Sequence, residues 1–381
     1  MKPCDVVILG GGFGGARAAL VARKNLDPSH RVTLIDRRET MHLCGMNPML
    51  VVGERDPVTT TRSISRLVER GVDVRRREVT SLDLESREVT TDTDVVPFDH
   101  LVVALGAGYD WSAVPGSESA HSFYSFEKAV RLRDEVAGLR GGTIVIAAAT
   151  PPYKCPPAPF EMGMLLHWLL VRRGVRDDFD LKIFIPEPAP MGVAGPDAVA
   201  RIRAALEERH IELHTNSGVV EVSGREASFS DGSSWEADLI VTVPVHRCPD
   251  VVVESGLAEG GSWVPVDPDT LETSVPGVFA IGDVNVIPIG EGKAIPKAGV
   301  FASGQAETVG RLIASRVNDR EPPPRYEGEG ECFLAFSDAE AALVGGTFLA
   351  SDGPQIGLGE STEGAIRLKE EFEQDWRRFE I

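Results

Sequence analysis

A strand that runs into a glycine-rich turn and out again into a helix leaves a chain few folds to choose from. Residues 5–9, Asp-Val-Val-Ile-Leu, lead into Gly10-Gly11-Gly12-Phe13-Gly14-Gly15 and an alanine-rich helix predicted to about residue 25. Glycines at 10, 12 and 15 let the backbone approach a pyrophosphate closely, and the following helix N-terminus favours negative charge. A second strand, 31–35, ends in Asp36, 26 residues after Gly10, where an acid commonly binds ribose hydroxyls. Gly10, Gly12, Phe13, Gly14, Gly15 and Asp36 are therefore candidate dinucleotide-binding residues. Arg37 and Arg38 beside the acid either touch phosphate or are solvated charges.

The same unit starts again at Thr143-Ile-Val-Ile146, but its turn reads Ala147-Ala-Ala-Thr-Pro-Pro-Tyr-Lys-Cys155. No glycine permits close backbone approach, and the prolines lack N–H donors, so a second pyrophosphate has no cradle. Cys155 stands where a nicotinamide nucleotide would be gripped. Strands alternate with helical patterns through the region: helix 126–140, strand 143–147, helix 160–173, strand 181–185, helix 197–210, and strands near 218–222 and 239–243. This order predicts parallel βαβ units. A later strand, 278–281, runs into Gly282-Asp283 and a small-residue-rich helix from 297 to 317, which returns the chain to the first domain.

The expected fold class is α/β, with two tandem Rossmann-like dinucleotide-binding domains and a short C-terminal module. The boundaries read as 1–112 for the first part of the cofactor domain, 113–247 for the second Rossmann-like domain, 248–320 for the resumed cofactor domain, and 321–381 for the tail. Glu321-Pro-Pro-Pro324 is the linker to that tail. A net charge of −19 argues against nucleic acid as a partner and against an anionic membrane surface. With no apolar run of about 18 residues and no leader before the first strand, a cytoplasmic protein is expected, at most peripheral at a membrane. Five scattered cysteines and eight histidines show neither a disulfide framework nor metal-ligand spacing, so no metal is expected.

Three segments resemble the FAD-binding signatures of flavoprotein reductases with two dinucleotide domains: the turn at 10–15, Leu105-Gly106-Ala107 after a strand, and Ala280-Ile-Gly-Asp283. Lys154-Cys-Pro-Pro-Ala-Pro-Phe-Glu161, Pro296-Lys297-Ala-Gly299 and the late Cys332 resemble, more narrowly, the sulfide:quinone oxidoreductase and flavocytochrome c sulfide dehydrogenase family. The resemblance implies FAD, held also by Gly106, Gly282 and Asp283. It implies sulfide or a related small sulfur compound as donor, and a quinone or cytochrome as acceptor. It also places Cys155 and Cys332, 177 residues apart, together at the flavin as a catalytic pair. Hydrosulfide would attack the disulfide, leaving a persulfide on Cys155, while Cys332 as the flavin-facing thiolate passes on two electrons.

Cys44 falls eight residues after Asp36, where the flavocytochrome c flavoprotein carries a cysteine joined to its flavin. The resemblance thus implies a thioether there, and an ordinary buried thiol is the alternative. Glu161 is either a base for the sulfide proton or a helix N-terminal carboxylate. Lys297 is either a cation at the flavin's pyrimidine edge or a surface lysine. In the tail, Leu368, Phe372, Trp376 and Phe379 predict an apolar helical stripe packed on the body or on a second copy of the chain in a homodimer. Surrounding acids disfavour its use as an interfacial membrane helix, leaving weak association at most. The competing functions are an NAD(P)H-dependent flavin reductase and a non-catalytic flavoprotein that senses redox state or carries persulfide.

Overall fold

The structure is a computed structural model and describes residues 3–379. The chain opens with β1 (Asp5–Leu9), α1 (Phe13–Asn25), β2 (Arg31–Asp36), β3 (Asp73–Arg76) and β4 (His100–Val103). It then builds a second unit from β5 (Gly142–Ala148), α2 (Ala158–Arg172), β6 (Phe179–Phe184), α3 (Gly195–Glu208), β7 (Ile211–His214) and β8 (Leu239–Val243). It returns with β9 (Val278–Ala280) and α4 (Gly299–Val317) and ends in β10 (Glu329–Ala335), β11 (Ala341–Thr347), β12 (Gln355–Leu358) and α5 (Glu363–Arg378).

Two parallel sheets result, ordered β9-β4-β1-β2-β3 and β7-β6-β5-β8. The strands β1, β4, β5 and β9 are largely apolar and buried, as coverage of both faces demands, with Val6, Ile8, Leu9, Val102 and Phe279 fully enclosed, whereas the edge strands β3 and β7 carry charged residues. Small residues set the helix contacts. A Cβ at Gly310 of α4 would lie 2.8 Å from Val21 of α1, and one at Gly163 of α2 would lie 2.8 Å from Ile183 of β6. Each glycine therefore brings its helix close to a neighbour. A two-stranded antiparallel ribbon, Gly108–Asp110 with Val245–Arg247, joins the segments that enter and leave the second unit.

The βαβ elements lie within a few residues of their expected positions. The antiparallel pairings were not anticipated: this ribbon, the three-stranded sheets spanning 79–97 and 219–236, and the C-terminal sheet β10-β11-β12; the strand expected near 218–222 as part of a parallel unit is Val219–Ser223 and pairs antiparallel with Glu226–Phe229 instead. Their strands are short and mostly half solvated, so they carry little apolar pattern; within Val79–Asp83 only Leu82 is buried.

The tail packs on the body, with Trp376 buried and its ring 4.6 Å edge-on from Phe13. The stripe is rotated from the expected one. Leu368 is 48% exposed, and Lys369 and Glu373 face inward instead. They can do so because each meets an opposite charge: Lys369 pairs with Glu161, and Glu373 with Arg55 at 2.8 Å. Among the described residues no helix is long and apolar enough to cross a membrane.

Candidate active site

The first turn is built around backbone contacts that only glycine allows. Gly10 has φ +95°, and a Cβ there would lie 2.4 Å from the Ala104 carbonyl oxygen; one on Gly15 would lie 1.7 Å from that of Gly10. Gly12 differs, because a Cβ there would meet nothing within 4 Å. That open space faces the start of α1, whose first turn has no acidic residue and no side-chain cap. Unpaired N–H groups beside free volume fit a pyrophosphate. Asp36, buried at the end of β2, accepts hydrogen bonds from Gly11 N at 2.7 Å and Arg38 N at 2.8 Å. The Arg38 guanidinium also reaches this carboxylate at 3.3 Å, whereas Arg37 points outward to Glu78 at 3.1 Å. Gly106 follows β4 with φ +70° and open space at its Cβ position. Gly282 and Asp283 follow β9, the Gly282 N–H being held by Gln305 at 2.6 Å. Donors, acid and free volume at one sheet edge thus fit a flavin dinucleotide.

The second turn presents Cys155 in a left-handed conformation, φ 52°, just before α2. Its N–H donates to the Lys297 carbonyl at 2.8 Å, and its own carbonyl accepts from Ala158 N at 2.8 Å. The Lys297 ammonium is buried and donates to the carbonyls of Asp283 at 2.7 Å and Asn285 at 2.9 Å, above the Trp263 ring. Burial lowers its pKa to about 8. Lys297 therefore ties the Cys155 turn to the Asp283 turn through both its backbone and its side chain.

Cys332 lies on β10 opposite Val344 and packs against both major cores. Burial and the neighbouring Cys332, Glu161 and Cys44 push the Cys155 thiol well above its ordinary range, against the pull of Lys369. Burial pushes Cys332 up to about 12. Cys44, half-buried, is also raised by burial, with Lys154 opposing and Asp283 reinforcing. Three cysteines from distant parts of the chain thus share one electrostatic neighbourhood, and all five cysteines are free thiols. Glu161 is 2% exposed and accepts from Ala335 N and from Lys369 Nζ, each at 3.3 Å. Burial raises its pKa despite the cation.

Lys369 is the residue that sequence reasoning missed. From the C-terminal helix it reaches Glu161 Oε1 and the Gly45 carbonyl, both at 3.3 Å. It thereby joins the segments carrying Cys44, Cys155 and Cys332. Its signal was present as helical register: it lies four residues after Ala365 and seven before Trp376, on the buried face. Lys154, absent from the expected site, packs 4.6 Å above the Tyr109 ring near Cys44 and Asp283.

The crevice at the second turn is filled by the chain itself. Tyr153 is buried beside Glu187, and a Cβ on Gly218 would lie 2.4 Å from the Ala149 carbonyl oxygen. Among the described residues no cluster of metal-ligating side chains is present.

Residues 4–147 and 178–306 match the family model described as pyridine nucleotide-disulphide oxidoreductase. The stretch between them carries Cys155 and Glu161. The chain is 27% identical over 340 residues to the sulfide-quinone reductase of Aquifex aeolicus, a match covering 84% of this chain and 78% of that protein. It is 22% identical over 347 residues to the mitochondrial sulfide:quinone oxidoreductase of Mus musculus, covering 87% and 75%. The X-ray structure of the Aquifex aeolicus sulfide:quinone oxidoreductase superposes with a TM-score of 0.87 at 22% identity, covering 98% of this chain and 92% of that one. That likeness establishes the fold.

Proposed function

Since this chain belongs to the pyridine nucleotide-disulphide oxidoreductase family, we propose that it is an FAD-dependent oxidoreductase that oxidises sulfide through Cys155 and Cys332 and passes two electrons to a quinone. The observation that carries this reading is that Cys155 and Cys332, 177 residues apart, share one electrostatic neighbourhood beside the buried Glu161–Lys369 ion pair. The names of the relatives supply the donor and acceptor.

FAD would be held by Gly10, Gly12 and Gly15 at its pyrophosphate and by Asp36 at its ribose, with Gly106, Gly282 and Asp283 lining the same edge. Bound there, it supplies a two-electron acceptor. The cysteine pair works in its oxidised form, in which hydrosulfide attacks one sulfur, leaves a persulfide and expels the other as a thiolate. A thiolate at Cys155 is steadied by the Lys369 ammonium. Glu161, whose pKa is raised, holds the proton given up by the sulfur nucleophile. Lys297 fixes the backbone of Cys155, so the attacked sulfur does not drift with its loop. We further propose that Cys44 is the attachment point of the cofactor.

An NAD(P)H-driven reductase is disfavoured by the second turn, which has no glycine to let a pyrophosphate approach and whose prolines lack N–H donors. Anaerobic mixing of the flavin-loaded protein with sulfide, NADH or NADPH decides between the two. Sulfide is expected to bleach the flavin rapidly and the nicotinamides slowly. Rapid, saturable bleaching by NADH and none by sulfide would reverse the assignment.

A further inference from the structure

A row of charged side chains runs beside α5 from the sulfur site to the surface. Glu161 meets Lys369 at 3.3 Å, Glu373 meets Arg55 at 2.8 Å, and Arg55 meets Glu370 at 3.4 Å. Exposure rises along it: the side chains of Glu161 and Glu373 are 2% and 6% exposed, that of Glu370 45%. Buried ion pairs are often no more stable than an apolar filling of the same volume, so stability alone does not account for the row. Its inner and outer pairs each leave a group unused. Lys369 has three N–H donors, of which Glu161 Oε1 and the Gly45 carbonyl take two. Glu373 gives Oε2 to Arg55, while its Oε1 is buried with no hydrogen-bond partner, a state that costs free energy. Lys369 and Glu373 are four residues apart in α5 and therefore share a face one turn apart. Among the described residues no hydrogen bond or ion pair joins them. At that spacing Cβ atoms lie about 5–6 Å apart, within the sweep of a lysine's flexible stem.

We infer that this row is a proton exit, in which Lys369 moves the proton of the sulfur donor from Glu161 to Glu373 and Glu373 passes it to solvent beside Arg55 and Glu370. The inference deepens the proposed sulfide oxidation and rests on it. Hydrogen sulfide that enters uncharged loses one proton to the Glu161 carboxylate and stays behind as hydrosulfide. An N–H bond of Lys369 breaks as an O–H bond forms on Glu373 Oε1; the Glu161 O–H bond breaks as the lysine's N–H bond is restored. The lysine is an ammonium before and after, no electrons move, and one proton reaches water. Glu161, nearly sealed from bulk solvent, is thereby emptied for the next sulfide.

The test is anaerobic mixing of sulfide with the flavin-loaded protein below neutral pH, where sulfide is mostly undissociated. An indicator dye follows proton release while the flavin's colour follows electron transfer. In wild type one proton is expected in step with each bleached flavin. Glu373→Gln keeps an oxygen for Arg55 but cannot take up the proton. Its first bleaching is expected at the wild-type rate, while proton release, and kcat with a quinone as acceptor, fall roughly 10²-fold at unchanged KM. Glu373→Ala, a second variant, opens space beside the Arg55 guanidinium, and added formate is expected to restore proton release to it. Release in step with bleaching in Glu373→Gln, or a slowed Glu373→Ala that formate does not rescue, would overturn the exit while leaving sulfide oxidation standing. A wild-type flavin that sulfide does not bleach would overturn sulfide oxidation itself, and the exit with it.

Discussion

Glu161 Oε1 and Lys369 Nζ stand 3.3 Å apart with 2% and 6% of their side chains exposed, joining residues 208 positions apart in sequence. For the lysine, the neighbouring carboxylates and Cys155 outweigh burial and raise its pKa; for the glutamate, burial outweighs the lysine and raises it too. Removing one partner leaves the other charged and buried. Lys369→Met is therefore expected to destabilise the protein by roughly 3–5 kcal/mol, and Glu161→Gln combined with Lys369→Met by much less. Thermal melts of the single and double variants check this, and an additive double variant would contradict it.

The same pair predicts a pH dependence with a definite sign. Because the folded pKa of Glu161 lies above its ordinary 4.5, folding binds its proton more tightly. Its contribution to stability is full below about pH 4.5 and is lost as pH rises through the raised value. The lysine's own contribution, from a pKa raised above 10.5, persists until pH climbs past that value. Glu161→Gln should thus gain on wild type in melting temperature as pH rises from 4.5 toward neutrality. A difference that is flat across that range would contradict the assignment.

The glycine turn separates binding from folding. Gly12→Val places its side chain in open space, so the protein should fold normally by circular dichroism yet take up no FAD. Gly15→Val drives its Cβ into the Gly10 carbonyl and should fail to accumulate as folded protein. A yellow Gly12→Val protein would mean that the open space at this turn is not the pyrophosphate site.

Attachment through Cys44 is read by intact mass after denaturation. The account expects flavin to remain with the chain, and Cys44→Ser to release it while the protein stays folded. A mass equal to the bare polypeptide would identify Cys44 as an ordinary half-buried thiol.

How far the sequence carried the reading follows from what each residue's role depends on. The candidate cradle was legible because a strand–turn–helix motif is local: Gly10 to Gly15 and Asp36 are set by one strand, one turn and one acid. Cys155 was legible for the same reason, as an interruption of a turn that otherwise needs glycine. Lys369 was not, because its meaning lies in a partner 208 positions away, and in isolation a lysine among glutamates reads as solvated surface. Leu368 misled for the matching reason: one residue of helical register moved it outward and brought the charge in.

The central claim is that Cys155 and Cys332 act as one unit on sulfide, and anaerobic mixing of sulfide with the flavin-loaded wild type, Cys155→Ala, Cys332→Ala and the double variant measures it most directly. FAD should stay bound in all four, because neither cysteine belongs to the phosphate cradle. Wild type should bleach rapidly, each single variant should slow by several orders of magnitude, and the double variant should be little slower than either, as for residues that work together. Bleaching of either single variant at close to the wild-type rate would contradict the account.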